Sequence, residues 1–208
     1  MLGRNGSGKT TLLKTITGEF VPNSGSVAFP NGGAPAFLRQ DIPSGTNKSI
    51  FEIVAQGYGD EGSVLSKTGN DTHARNVVDE DRIWKMEQRI ERVLQELELS
   101  PSLSFDDLSG GMKRRALLGQ TLVNDPVILV LDEPTNHMDI ESITWLETYL
   151  RKCEAAVIFV THDRSLIRNL STRILEIDLG KVRSFRCDYD TYLSRNCLLY
   201  TSPSPRDS

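Results

Sequence analysis

The chain has 208 residues, 38% hydrophobic and 25% charged, a balance that suits a globular domain and excludes a fibrous or disordered chain. Its 24 Lys+Arg against 28 Asp+Glu leave a net charge of −4, so no global basic signal marks nucleic-acid binding, although a local basic face stays open. No apolar run approaches the ~18–20 residues of a membrane helix, no signal peptide opens the chain, and the cysteines Cys153, Cys187 and Cys197 lack metal or disulfide spacing, which together imply a reduced, cytoplasmic setting.

In chain order, Gly3-Arg4-Asn5-Gly6-Ser7-Gly8-Lys9-Thr10 fits the phosphate-binding pattern G-x-x-x-x-G-K-[ST]. Such a loop follows a buried strand, and only Met1 and Leu2 precede Gly3, so the strand is read as missing and Met1 as other than the native start. A helix is predicted over 10–17, with Leu12, Leu13 and Ile16 at helical spacing and Gly18 as its stop. Ser26–Phe29 and Ala36–Leu38 are strand candidates around the turn-rich Pro30-Asn31-Gly32-Gly33. Gly57–Asp81 is polar, contains glycine and lacks periodicity, and is read as irregular. Asp81 is expected to cap a helix carrying Ile83, Met86, Ile90, Val93, Leu94 and Leu97 on one face, ending before Pro101.

A loop over 104–111, a helix over 112–123 and the apolar run Val127–Leu131 follow, the run reading as a strand buried on both faces of a parallel sheet. Lys113-Arg114-Arg115 reads as the solvated start of its helix. Further expectations are a helix over 140–153, a strand Ala156–Val160, a helix Arg164–Leu170, and strands Ile174–Asp178 and Val182–Phe185 joined as a hairpin. Alternating helices and buried strands imply an α/β fold with a helical insertion over about 50–125. The run from Cys197 through Tyr200 to Ser208 resembles the translation of a transposase-type sequencing-library adapter, so folded protein is expected over 1–195 and a non-native tail over 197–208.

Four segments suggest one site. In the glycine-rich loop, backbone N–H groups can crowd an anion, Lys9 can reach β- and γ-phosphates, and Thr10 can offer a hydroxyl to Mg²⁺. Asp132 and Glu133 end a buried strand, where the first suits a Mg²⁺ shell and the second suits polarising an attacking water. Leu108-Ser109-Gly110-Gly111 opens a helix, and a second helix start with free N–H groups suggests a nucleotide sandwiched between two copies. Thr161-His162-Asp163 follows the next strand, placing His162 where it could sense the γ-phosphate. Gln40 follows Ala36–Leu38 and is the weakest of these assignments.

From Gly3 to about Ser184 the chain resembles the ATP-binding cassette superfamily, whose fold is the P-loop NTPase α/β cassette with a helical subdomain. The resemblance identifies 3–10 as Walker A, Gln40 as the Q-loop, 108–111 as the signature, Asp132 and Glu133 as Walker B and the catalytic glutamate, Asp139 as the D-loop aspartate, and His162 as the switch histidine. It thus implies an ATPase using ATP and Mg²⁺. Gly3, Asn5, Gly6, Ser7, Gly8, Lys9, Thr10, Thr11, Ser109, Gly110, Gly111 and Asp139 are implied around nucleotide, and Thr10, Gln40 and Asp132 around the metal. Glu133, His162 and Gln40 are the implied catalytic residues. Glu133-Pro134-Thr135-Asn136-His137-Met138-Asp139 is similar to the E-P-T-N-H-L-D of the ABC-F branch, which lacks transmembrane domains, and His162-Asp163-Arg164-Ser165 and Tyr189-Asp190-Thr191-Tyr192-Leu193 share that likeness. Asp139–Glu147 and Arg173–Phe185 are most similar to the first cassette of the Uup-like group of that branch. Met112 and Met138 depart from the pattern, standing where transporters carry Gln and the branch carries Leu. The branch implies a second cassette in the same chain, an adenine-stacking aromatic ahead of Met1, and the ribosome or branched nucleic acid as target. The alternative is the ATPase subunit of a membrane transporter.

Overall fold

The computed structural model describes residues 1–3, 6–29, 33–38, 41–67, 80–136, 138–178 and 180–201. Asn5, Gln40 and most of the 57–81 segment beyond Lys67 lie outside the described residues. Two three-stranded sheets carry the fold. One orders β2 (Pro35–Leu38), β3 (Ile128–Asp132) and β4 (Ala156–Val160), all parallel. The other orders β1 (Leu2–Gly3), β5 (Ile174–Asp178) and β6 (Lys181–Phe185), with β5 and β6 antiparallel. The Met1 amino group donates to the Phe159 carbonyl at 2.6 Å, so β1 lies between β4 and β5 and joins the two sheets.

β1 corrects one sequence expectation. Leu2 and Gly3 do form a strand ahead of the phosphate loop, short but in parallel register with Glu176 and Ile177. The two backbones approach closely at Gly3. A Cβ there would lie 2.5 Å from the Ile177 carbonyl oxygen and 2.7 Å from Ser7 Oγ.

Side chains alternate across β3, so its residues feed two layers. Leu13 of α1 (Lys9–Ile16) packs with Val130 and Val160 on one face. Leu129 and Leu131 join the larger core on the other, with residues of α5 (Gly110–Leu122), α6 (Ile140–Lys152) and α7 (Arg164–Leu170). Between β2 and β3 stands a helical layer of α2 (Ile50–Ala55), α3 (Asp60–Lys67), α4 (Glu80–Glu96) and α5. The stripe Met86, Ile90, Val93 and Leu94 of α4 is buried against Ile53, Val54 and Leu118. α8 (Tyr189–Thr201) extends into the segment set aside as a tail.

Other expectations are also corrected. Ser26–Phe29 belongs to neither sheet, because alternation alone leaves a strand's N–H and C=O groups without partners. After Gln56 the described residues carry regular structure. A 3₁₀ turn covers Gln56–Tyr58, α3 follows, and the Tyr58 hydroxyl donates to the Val123 carbonyl at 3.1 Å. Gly57 and Gly62 serve close packing: a Cβ would lie 2.2 Å from the Gln120 carbonyl oxygen on the first and 1.8 Å from the Ala55 carbonyl oxygen on the second. Helix α4 already includes Glu80, so Asp81 sits in its first turn rather than at its cap. The sequence reading passes over α2, yet Ser49-x-x-Glu52 forms a full capping box, each side chain satisfying the other's backbone N–H. Finally, Arg114 is only 3% exposed and Arg115 stacks over Trp145 at 4.2 Å, so that basic run is not a solvated face.

Candidate nucleotide-binding site

Parallel pairing builds the centre of the site. Asp132 of β3 stands opposite Val160 of β4, so the residues after each strand leave the sheet side by side. The Glu133 N–H donates to the Val160 carbonyl at 2.9 Å, holding Glu133 in a left-handed conformation with φ 47°. That backbone is costly for a residue with a Cβ, and strain of this kind concentrates at functional sites. It turns the carboxylate toward β4. Glu133 Oε2 accepts from the His162 N–H at 3.3 Å, and Oε1 lies 3.4 Å from His162 Nε2. The carboxylate is mostly shielded whereas the imidazole is 72% exposed, so the pair has a fixed base and an open outer member.

The phosphate loop approaches the same strand ends. Gly8 caps α1 at φ 97°, and Gly6 has φ 78°, conformations open to glycine but strained for other residues. A Cβ built on either would meet nothing within 4 Å, so the requirement for glycine there is the dihedral angle and not crowding. Lys9 Nζ donates to the Gly3 carbonyl at 2.9 Å across the loop. The Thr10 hydroxyl donates to Asp132 Oδ2 at 3.2 Å, bringing a neutral and an anionic hard oxygen together at the start of α1. That donor set suits Mg²⁺, which takes few protein oxygens and keeps phosphate and water in its shell. Open glycine backbone at a helix N-terminus likewise suits a polyphosphate. Among the described residues no cluster of three or more His, Cys, Asp or Glu forms an all-protein metal cage.

Ser109, Gly110, Gly111 and Asp139 stand at the starts of α5 and α6. Ser109 caps α5, its Oγ accepting from the Met112 N–H at 3.3 Å. Asp139 caps α6 and spends both carboxylate oxygens on Ser142: Oδ1 accepts the backbone N–H at 2.8 Å and Oδ2 the hydroxyl at 3.1 Å. These bonds, the backbone one foremost, hold its carboxyl below the ordinary carboxylate range. Gly111 lies directly over this cap, since a Cβ on it would fall 1.9 Å from Ser142 Oγ. The structure therefore joins Lys9, Thr10, Asp132, Glu133 and His162 in one cluster, and Ser109–Gly111 with Asp139 in another. The sequence reading does not pick out Ser142, although Asp-x-x-Ser is a visible capping spacing.

The model of the ABC transporter family matches residues 1–136. ATP-binding protein Uup of Escherichia coli is 38% identical over 93% of this chain and 33% of its own length. The energy-dependent translational throttle protein EttA of Mycobacterium tuberculosis is 32% identical, over 94% of this chain and 38% of its own. The chain thus spans about a third of the length of the curated relatives it matches. Among solved structures, an ATP-binding cassette of an ABC transporter superposes with TM-score 0.72 at 19% identity, over 96% of this chain and 85% of that one. A cassette crystallised as a dimer with ADP and phosphate reaches 0.66 at 23%, over 88% and 82%. The fold is that of an ABC cassette.

Proposed function

The chain belongs to the ABC transporter family, and from that premise we propose that it is an ATP-hydrolysing cassette of the ABC-F type that works with a second cassette. The carrying observation is the convergence of the Thr10 hydroxyl, the Asp132 carboxylate and the Glu133–His162 pair at one end of the sheet. In this reading Gly3, Asn5, Gly6, Ser7, Gly8, Lys9, Thr10 and Thr11 hold ATP through backbone N–H groups, hydroxyls and the Lys9 ammonium. Thr10, Asp132 and Gln40 hold Mg²⁺, which when bound supplies charge neutralisation on the phosphates. Glu133 accepts a proton from the attacking water, and His162 holds that water and the γ-phosphate in line.

Ser109, Gly110 and Gly111, with Asp139 beside them, face a nucleotide held by the second cassette, so one chain makes half of each site. Turnover then depends on pairing. The likeness to a translational throttle protein supports the ribosome as target. Branched nucleic acid is the competing target, and no helix among the described residues is long and apolar enough to cross a membrane. The test is phosphate release from ATP at rising concentrations of this chain and of the full-length protein. Full-length protein should turn over at every concentration. The isolated cassette, without the signature of the second cassette, should bind ATP weakly and show no turnover. Turnover by the isolated cassette at a constant rate per chain overturns the shared-site reading.

A further inference from the structure

We propose that Ser142 is a positioning residue that latches the signature segment at the start of α5 to Asp139, so that both edges facing a second cassette move as one body. The proposal rests on the two-cassette reading above and assigns it a part that no motif names. Three contacts carry it. Ser142 is 6% exposed and gives each oxygen of the Asp139 carboxylate a hydrogen bond, one from its N–H and one from its hydroxyl. The same hydroxyl fills the space beneath Gly111: a Cβ there would also lie 2.7 Å from Ser142 Cβ and 3.2 Å from Asp139 Oδ2. One turn further along, Arg115 stacks over Trp145 at 4.2 Å, a second pin between the same two helices.

The spacing explains why two pins make a rigid unit. Gly111 and Arg115 are four apart on α5, and Ser142 and Trp145 are three apart on α6, so each pair occupies one face of its helix. Two contacts in successive turns tie α5 to α6 more firmly than one, in addition to the packing of α5 on α2, α4 and β2. Glycine at 111 is required by this approach of side chain to backbone and not by its dihedral angles. Serine at 142 is the smallest residue that both fills the gap and caps Asp139. Ser142 is bonded to Asp139 and leaves no room for a side chain at 111, so a shift of the α6 cap is felt at the start of α5.

The test uses the full-length protein carrying Ser142→Ala, which keeps the backbone cap on Asp139 and removes the hydroxyl. Hydrogen exchange should accelerate by about fivefold or more at the amides of 112–115, on α5, as well as at 142–144, while β5 and β6 are unaffected. In steady-state ATP turnover kcat should fall by about fivefold or more with KM for ATP within about twofold, since the phosphate loop is untouched. Gly111→Ala should be more damaging than Ser142→Ala, and Gly111→Ala with Ser142→Gly should recover part of that loss because the colliding atoms are gone. Unchanged exchange on α5 overturns the latch, as does a fall in KM, kcat and thermal midpoint together with no compensation in the double variant. Absence of turnover in the unmodified full-length protein would instead overturn the ATPase reading, and exchange on α5 would still decide the latch.

Discussion

Replacing Glu133 with Gln separates binding from chemistry. Gln matches Glu in size and its carbonyl can still accept the His162 N–H that Oε2 accepts at 3.3 Å. The contact of Oε1 with His162 Nε2 at 3.4 Å has an imidazole 72% open to water, so its loss costs about 0–1 kcal/mol. For a domain of this size that moves the thermal midpoint by no more than about 4 °C. The amide cannot take up a proton at neutral pH, so removing a positioned general base should slow hydrolysis by about 10²–10⁴-fold. Lys9, Thr10 and Asp132 are unaltered, and nucleotide affinity should stay within about twofold. The assay pairs phosphate release with equilibrium ATP binding on full-length protein carrying the change in both cassettes, followed by sedimentation with ribosomes and gel shift with branched DNA. ATP-dependent retention on ribosomes supports the proposed target. Turnover within tenfold of the parent would show that Glu133 is not the base. Loss of ATP binding would show that it helps to hold nucleotide, and ATP-dependent association with membranes alone would favour the transporter alternative.

Leu129 is fully buried in the middle of β3, and Leu129→Ala should destabilise the fold by about 2–5 kcal/mol in urea titration. Ser49→Ala removes the cap of α2, whose Oγ accepts the Glu52 N–H at 3.2 Å, and should cost about 1 kcal/mol in the same assay. Tyr192→Phe deletes the hydroxyl that donates to Glu176 at 2.8 Å from a side chain only 5% exposed, and should cost about 0.5–1.5 kcal/mol. Asp106 accepts backbone N–H bonds from Asn47 and Gly45 at 2.8 and 3.0 Å, and these, Asn47 foremost, hold its carboxyl below the usual value of 3.8. Its contribution is therefore present above about pH 4 and lost as pH falls through the lowered folded value, so Asp106→Asn should flatten the acid limb of a stability–pH curve and leave its slope near neutrality unchanged.

Much of this chain is legible before folding because the signals are local. Ala156–Val160, Arg164–Leu170 and Ile174–Asp178 have the predicted bounds, since apolar runs and an Asp cap act over a few residues. Spacing likewise brings the glycine loop, Asp132-Glu133 and His162 to attention, as each needs particular residue types in a fixed order. What depends on distant partners is decided by tertiary structure. Ser26–Phe29 alternates like a strand and belongs to neither sheet, whereas Leu2–Gly3 is barely a strand by length and is held by β5 and the Phe159 carbonyl. Arg114 reads as a solvated cation and is buried, because α5 is covered from several sides. Gly62 lies in a stretch that reads as irregular and serves as a contact point, since only the packed α2 and α3 reveal that a Cβ would meet a carbonyl. Parallel register, which places Glu133 beside His162, and helix packing, which sets Gly111 on Ser142, are relations between elements apart in the chain. Local composition can nominate those residues, but only the packing of β3 on β4 and of α5 on α6 brings them into contact.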